Sequence, residues 1–141
     1  MSGRTEIRVR YAETDMMGIA YHGSYLPWLE IGRTELLREH GLPYLELERL
    51  GYRLPVLELG MRYMKPAVYD DVVTIESSIV EKPVLRIRID YRLTRGAVPI
   101  ATGHTMHAFL NHENQPVRPP AVFTEALNRL FKGRGSKGMR E

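Results

Sequence analysis

Hydrophobic and polar residues alternate with a period of two along much of the chain, which is the pattern of β-strands with one buried face. Four segments show it, at residues 5–11, 52–65, 70–79 and 84–95, and a fifth predicted strand at residues 100–110 has less clear facing. The alternation is most regular in the fourth segment, where apolar residues take the odd positions from 85 to 93. Turn signals at Pro66, Pro83 and Gly96 separate the last four segments at hairpin spacing. These four strands are therefore predicted to lie in an antiparallel sheet.

A helical period interrupts the strands between residues 22 and 39. Residues that can pack closely recur there at spacings of three and four and form one face: Tyr25, Leu29, Gly32 and Leu36. One further helical turn is predicted at residues 44–51. A short helix is predicted at residues 121–131, with its end at Gly133.

The predicted order of elements is β-α-β-β-β-β, followed by the small helix. Five strands and one long helix indicate an α+β fold in two layers, with the helix covering one face of the sheet. A single helix leaves the sheet edges and part of that face uncovered, and uncovered edges are normally paired or protected. We therefore expect at least a dimer.

Composition narrows the class of protein. With 141 residues, 43% of them hydrophobic and 26% charged, the chain fits one globular domain rather than a disordered protein. It contains no Cys, which excludes disulfides, thiolate metal sites and a cysteine nucleophile. No apolar run approaches the roughly 20 residues of a membrane helix, and the first residues lack the apolar region of a signal peptide. Membrane insertion is therefore not expected. A cytoplasmic location is expected instead.

The net charge of +3 is confined to the C-terminal end of the chain. Residues 132–141 carry four basic side chains and one glutamate, so residues 1–131 have no net charge. This Gly-rich segment is predicted to be a basic flexible tail. A domain without a broad basic face is not expected to bind nucleic acid.

The strongest indication of chemistry lies in residues 11–37. Asp15 falls in a loop just before the predicted helix, and Gly18 gives that loop backbone freedom. The free N–H groups and the positive dipole end of a helix N-terminus can hold a developing oxyanion. A nearby carboxylate can act as a base or as a nucleophile. Taken alone, however, Asp15 is more often a turn or capping residue, and His22 a cap or packing residue.

Other polar and aromatic residues have simpler interpretations. His104 and His107 fall on opposite faces of a strand because their spacing is odd, which makes them poor joint metal ligands and favours structural roles. Asp70 and Asp71 are expected to begin a strand and to make turn hydrogen bonds. Core packing is the simpler role for two aromatic residues of the helix, Tyr25 and Trp28.

Two blocks of the sequence resemble a known family. The first is Y-x-x-T-D-x-x-G-I-x-Y-H-x-x-Y at residues 11–25, followed by R-T-E at 33–35, and the second is Y-x-x-P-A-x-x-D-D at 63–71. Both are similar to the hotdog-fold acyl-CoA thioesterases, in particular the 4-hydroxybenzoyl-CoA thioesterase type and the bacterial thioesterases associated with the Tol-Pal system. The similarity covers about residues 5–120, which is nearly the whole domain.

The resemblance implies a hotdog thioesterase domain over residues 1–131, in which a five-stranded antiparallel sheet wraps around a long central helix. It also implies homodimers with a continuous ten-stranded sheet, often paired into homotetramers, with active sites at the dimer interface. Asp15 occupies the catalytic carboxylate position of this family. His22 occupies the catalytic position whose backbone N–H polarises the thioester carbonyl. Whether Asp15 attacks that carbonyl or activates water stays open.

The activity implied by the resemblance is hydrolysis of an acyl-CoA to a carboxylic acid and coenzyme A, with no metal and no cofactor. Gly18 and Tyr21, which belong to the first block, are expected to contact the substrate. Basic side chains are expected to meet the phosphates of coenzyme A, namely Lys82, Arg86 and Arg118. A solvated face or a subunit contact is the alternative for Arg86. Two rival functions stay open: a hotdog hydratase acting on acyl thioesters, and a non-catalytic acyl-thioester-binding protein.

Overall fold

One antiparallel sheet forms the scaffold of the molecule. The structure is a computed structural model that describes the backbone of residues 1–140 and the side chains of residues 1–130. The strands are β1 Ser2–Arg8, β2 Val56–Tyr63, β3 Val72–Ser78, β4 Arg86–Arg95, β5 Val98–Leu110 and the two-residue β6 Pro116–Val117. Their order across the sheet is β1-β3-β4-β5-β2, with β6 paired to β5. The predicted antiparallel sheet of five main strands is confirmed.

The connection between β2 and β3 differs from the hairpin that the sequence spacing predicted. β2 pairs with β5 at one edge, whereas β3 pairs with β1 and β4. The intervening chain crosses the end of the sheet and is held at both sides. The N–H groups of Met64 and Lys65 bond to the Ile100 carbonyl, and the Asp70 N–H bonds to the Val9 carbonyl. Because β3 is not paired with β2, one of its edges is free to pair with β1.

Three α-helices accompany the sheet in the described part of the chain. A 3₁₀ turn, His22–Ser24, leads into α1 Tyr25–Glu39, and α1 packs against β1, β3 and β4. The predicted helix face, Tyr25, Leu29, Gly32 and Leu36, is buried. Trp28 beside it is buried too. The predicted helical turn after α1 is confirmed as α2 Tyr44–Arg49. None of the described helices is long and apolar enough to cross a membrane.

The C-terminal helix is longer than the sequence indicated. α3 spans Ala121–Arg140 and continues past Gly133, where its end was predicted. A single glycine weakens a helix by only about 1 kcal/mol relative to alanine, so it need not end one. The flexible basic tail predicted for residues 132–141 falls outside the residues whose side chains are described, and it stays a prediction.

The core lies between α1 and the face of the sheet that α1 covers, here called the inner face. The alternation of β3 and β4 is confirmed there, since the inward residues are fully or almost fully buried: Val73, Ile75, Ile87, Ile89 and Leu93. Burial of such a side chain contributes about 1.5–3 kcal/mol. Leu85, which was predicted to belong to the same row, is exposed because it precedes the first residue of β4.

Gly32 marks the closest approach of α1 to the sheet. A Cβ atom at this position would lie 2.7 Å from the Ser77 Oγ and 2.8 Å from the Ile75 Cγ2. We expect Gly32→Ala to lower the free energy of unfolding by about 1 kcal/mol, because an overpacking cost of about 2 kcal/mol outweighs the helix-propensity gain of about 1 kcal/mol. Urea unfolding measures the change. Adding Ser77→Gly should recover part of the loss, whereas an unchanged or raised midpoint in Gly32→Ala would contradict the expected clash.

A chain of buried polar groups lies beneath α1. The Tyr91 hydroxyl is 2.8 Å from the Thr105 Oγ1, which is also 2.8 Å from the His107 Nε2. The His107 Nδ1 is 3.3 Å from the Leu54 carbonyl oxygen. A neutral imidazole that donates from Nδ1 to Leu54 and accepts from Thr105 at Nε2 satisfies every member of this chain. The structural role predicted for His107 is therefore confirmed, and His104 lies on the opposite, outer face of the sheet.

Acid should destabilise the protein through His107. Burial, aided by the nearby Arg33 guanidinium, lowers the pKa of His107 from its ordinary 6.5 to about 4. The unfolded chain therefore binds a proton between these values while the folded chain does not, so stability falls as the pH drops from 6.5 towards 4, by about 3 kcal/mol in total. Urea unfolding at several pH values should show this slope in the wild type and not in His107→Gln. His104→Gln, the control on the outer face, should keep the slope of stability against pH. If the slope also persists in His107→Gln, another titratable group causes it.

The edge strand β2 exposes a row of large apolar side chains. Val56, Leu57, Leu59 and Tyr63 are 44%, 50%, 43% and 45% exposed. The predicted alternation is correct, since Leu59 and Tyr63 face the same side of the sheet as their buried β5 partners Thr105 and Ala101. Tyr63 packs on the Tyr25 ring and donates to the His22 carbonyl, but the described chain leaves each member of this row nearly half exposed. An edge strand of this kind is a surface on which a second chain can add.

Candidate active site

Asp15 sits in a tight loop that begins and ends on a short antiparallel bridge. Thr14 and Ala20 form the bridge, and inside it the Asp15 N–H bonds to the Ile19 carbonyl at 2.9 Å. The Gly18 N–H bonds to the Asp15 carbonyl at 3.0 Å, with Gly18 at φ +79, a backbone conformation that side chains disfavour. One carboxylate oxygen of Asp15, Oδ1, accepts the Met17 N–H at 2.9 Å. The other oxygen accepts no hydrogen bond from the described residues and is available to a ligand.

The turn that precedes α1 presents unpaired donors next to this loop. Among the described residues, no acceptor contacts the backbone N–H groups of His22 and Gly23. The His22 carbonyl accepts the Tyr63 hydroxyl at 2.8 Å, which ties the turn to the end of β2. Burial raises the pKa of Tyr63, so its hydroxyl stays a protonated donor at neutral pH. The turn therefore has the free donors expected at a helix N-terminus and is held from the sheet side.

Asp15 and His22 line one open cavity of about 480 Å³. Its floor and walls come from the loop, the start of α1, the end of β2 and the crossover that follows β2. Apart from Asp15, His22 and Lys65 the lining is largely apolar or aromatic: Met17, Ile19, Ala20, Tyr25, Tyr63, Met64 and Pro66. A mostly apolar cavity with a few converging polar groups is the usual form of a small-molecule site.

Within a single chain, the residues that were predicted to bind the substrate lie outside this cavity. Gly18 is in the exposed tip of the loop, and the exposed Tyr21 ring packs on the His22 ring with centroids 4.1 Å apart. Arg86 is at the far end of β4: it pairs with Ala108, whereas Tyr63 of the cavity pairs with Ala101. Seven residues of strand correspond to roughly 23 Å.

Lys82 and Arg118 lie at the same end of the sheet as Arg86. Lys82 is in the turn between β3 and β4, and Arg118 follows Val117, whose partner is Phe109 of β5. The structure thus groups the three predicted phosphate-binding residues at one end and the two predicted catalytic residues at the other. A single chain does not bring the two groups together.

Several predicted structural roles near the site are confirmed. Asp71 accepts the Val68 N–H at 2.9 Å through its carboxylate and pairs with Arg95, and the Asp70 N–H joins the crossover to β1. These are the turn hydrogen bonds expected of the two residues. Tyr25 and Trp28 are buried, at 2% and 1% exposure, although the edge of Tyr25 also lines the cavity.

Metal-binding groups are sparse in the described part of the chain. Among these residues, no three His, Asp or Glu side chains lie close enough together to hold a metal ion. His104 contacts Glu58 at 3.0 Å on the outer face of the sheet, away from the buried His107.

Sequence reasoning did not identify Glu13 or Tyr63 as parts of the site. Glu13 is a buried carboxylate, 8% exposed, and accepts the Trp28 indole N–H at 2.7 Å. The signal for it was the one Trp of the chain, placed on the buried helix face, because a buried indole N–H needs an acceptor. Tyr63 opens the second block of the resemblance, but that block does not indicate its contact with the turn before α1, which depends on how the end of β2 meets the turn.

Comparison with known proteins identifies relatives that share this architecture. Residues 9–127 match the family model of the thioesterase-like superfamily. A putative acyl-CoA thioesterase of Bacillus subtilis, YneP, is 43% identical over 76 residues, which are 54% of this chain and 55% of the relative. The match therefore spans little more than half the length of that protein.

Two crystal structures resemble the fold over almost the whole chain. The hypothetical protein TT1821 of Thermus thermophilus is 36% identical with a TM-score of 0.86, covering 92% of this chain and 98% of that one. The DHNA-CoA thioesterase of Staphylococcus aureus is 28% identical with a TM-score of 0.90, covering 97% and 95%. The α+β architecture predicted from the sequence is thus the architecture of known thioesterases.

Proposed function

Because the chain belongs to the thioesterase-like superfamily, we propose that it is an acyl-CoA thioesterase, which hydrolyses an acyl-CoA to a free carboxylic acid and coenzyme A. One observation carries the catalytic part of the proposal. The carboxylate of Asp15 and the unpaired N–H groups of His22 and Gly23 belong to two adjacent turns around one largely apolar cavity. Thioester hydrolysis needs both a base or nucleophile and an oxyanion site.

The two roles of Asp15 share one geometry. As a nucleophile, its free oxygen attacks the carbonyl carbon of the thioester, the carbon–sulfur bond breaks, the coenzyme A thiolate takes a proton, and water hydrolyses the resulting anhydride. As a base, Asp15 takes a proton from a water molecule whose oxygen attacks the same carbon, and the carbon–sulfur bond then breaks as the leaving coenzyme A thiolate takes a proton. In both routes the carbonyl oxygen gains negative charge, which the N–H groups of His22 and Gly23 hold. A donor of this kind is worth about 3 kcal/mol in the transition state.

A second subunit completes the site in this proposal. The apolar row of β2 is exposed in one chain, and β2 ends at the cavity through Tyr63. Pairing of two chains along this edge buries the row and brings the partner's sheet towards the cavity. Coenzyme A phosphates would then meet the basic end of a sheet, where Lys82, Arg86 and Arg118 lie. A homodimer, or a tetramer of two such dimers, in the cytoplasm is the proposed working form.

Thiol release from a panel of acyl-CoAs, from aromatic to long-chain, tests the proposed activity. Hydrolysis of at least one member, with one equivalent of free thiol per acid formed, is the expected result. Loss of enoyl absorbance without thiol release would point to a hydratase instead. Binding of the thioesters with neither reaction would point to a non-catalytic binding protein.

A further inference from the structure

Glu13 is a buried carboxylate between the end of β1 and α1, and both of its oxygens are occupied. Oε2 accepts the Trp28 indole N–H at 2.7 Å, and Oε1 accepts the Arg10 backbone N–H at 2.7 Å. Burial alone would raise the pKa of Glu13, but the hydrogen bonds from Arg10 and Trp28 hold that pKa below its ordinary value. The side chain is therefore ionised at neutral pH and bonded to donors on two elements.

The backbone of the same residue fixes the other side of the site. The Glu13 carbonyl accepts the Tyr21 N–H at 2.8 Å and the Ser24 hydroxyl at 2.9 Å. Tyr21 and Ser24 flank His22 and Gly23, whose N–H groups are the proposed oxyanion donors. Two residues after Glu13 the chain reaches Asp15. Glu13 thus lies between the carboxylate and the donors and is bonded to the elements that carry both.

We propose that Glu13 is a positioning residue for this site: its carboxylate sets the place of the Asp15 loop relative to the N–H groups of His22 and Gly23. The inference rests on the proposed function, because it assumes that these groups act together on one carbonyl. Relative placement matters strongly in such a pair, since a shift of about 1 Å can cost about 100-fold in rate. Neither residue that donates to the Glu13 carboxylate, Arg10 or Trp28, lines the cavity.

Position 13 needs two acceptor oxygens, one for the Arg10 N–H and one for the Trp28 indole N–H, and a carboxylate supplies both. Trp28 and Arg10 both donate N–H groups to Glu13. Glutamine has the same shape but offers one acceptor oxygen, and its amide N–H₂ would face one of the two donors. Glu13→Gln is therefore an isosteric change that breaks one of the two ties and leaves the backbone bonds of the residue possible.

Steady-state kinetics with the best acyl-CoA test the inference. We expect Glu13→Gln to lower kcat by about 10- to 100-fold while KM changes by less than about threefold, because the Asp15 carboxylate is misplaced but the cavity is kept. Trp28→Phe, which removes one donor and keeps an aromatic ring, should lower kcat in the same direction. Gly32→Ala serves as the control: it destabilises the fold at a distance from the site and should leave kcat unchanged well below its unfolding temperature.

A double variant distinguishes positioning from general destabilisation. In an Asp15→Asn background there is no catalytic carboxylate to place, so Glu13→Gln should cost little further rate. The same loss in both backgrounds, or a kcat of Glu13→Gln within twofold of wild type, would overturn the inference.

Amide hydrogen exchange gives a readout that does not depend on activity. Residues 14–24 of the unliganded protein should exchange faster in Glu13→Gln and in Trp28→Phe than in the wild type, while β3 and β4 should not change. Unchanged exchange in residues 14–24 would overturn the inference even in a protein that hydrolyses no acyl-CoA. A wild type without thiol release would instead count against the proposed function, so the two failures are distinguishable.

Discussion

Replacing Asp15 with asparagine should lower kcat by about 100- to 10,000-fold, the largest effect that the structure leads us to expect. Asparagine keeps the shape of the side chain and an oxygen for the Met17 N–H, so the loop should keep its hydrogen bonds. What it removes is the negative oxygen that attacks the carbonyl or takes a proton from water. Thiol release from the best acyl-CoA, measured for both proteins at saturating substrate, checks the loss.

Asp90→Asn is the matched control for this experiment. Asp90 is an acidic residue on the outer face of β4, bonded to Arg88 at 3.0 Å and remote from the cavity. The same acid-to-amide change there should leave kcat within about twofold of the wild type, because a substitution on the surface, away from the cavity and the core, has little effect. Equal rates in Asp15→Asn and the wild type would mean that another group performs the reaction, whatever the substrate.

A charged residue introduced on the apolar face of β2 should separate the subunits and, by doing so, also abolish turnover. Leu59 is 43% exposed in one chain and faces the side of the sheet that the second copy is proposed to cover. Leu59→Arg would place an unpaired charge in that contact, at a cost of several kcal/mol if it stayed buried. Sedimentation should show a dimer or tetramer for the wild type and a monomer for the variant, and thiol release should fall with the loss of assembly.

Glu58→Arg tests whether the effect is specific to that face. Glu58 precedes Leu59 on the same strand but points to the outer face, where it contacts His104. This change introduces the same arginine side chain on the other face of the strand and should leave the dimer and its activity intact. A monomeric wild type, or full activity in a monomeric Leu59→Arg, would show that one chain suffices for the site.

The sequence predicted the sheet well where one face is buried. In β3 and β4 the alternation of apolar and polar residues follows the pleat, so it identified both the strands and their inward residues, such as Ile75 and Ile89. It could not predict which strands pair, because alternation is the same for any partner. The pairing of β2 with β5 depends on hydrogen bonds of the crossover, including those from Met64 and Lys65 to Ile100.

The candidate site was predictable only in part, for a related reason. Asp15 and His22 lie close in the sequence and lead into one helix, so a local motif identified them. Tyr63 at the end of β2 and Lys65 in the crossover reach the same cavity from a distant part of the sequence, and the motif at residues 63–71 does not indicate that they meet Asp15. Glu13 was missed because a single acidic residue before a helix is normally exposed, and its burial follows from the Trp28 indole above it.

The pairing of β2 also determines when that strand can be completed during synthesis. Val56 pairs with His107 and Tyr63 with Ala101, so β2 has no sheet partner until the ribosome has produced β5. Until then the nascent chain presents an unpaired strand with a row of apolar side chains, the kind of segment that is prone to self-association. Contacts between segments so far apart in sequence also slow folding. The strand proposed to join two subunits is thus the last of the five to be paired as the chain emerges, and folding of one subunit and recognition of its partner depend on the same edge.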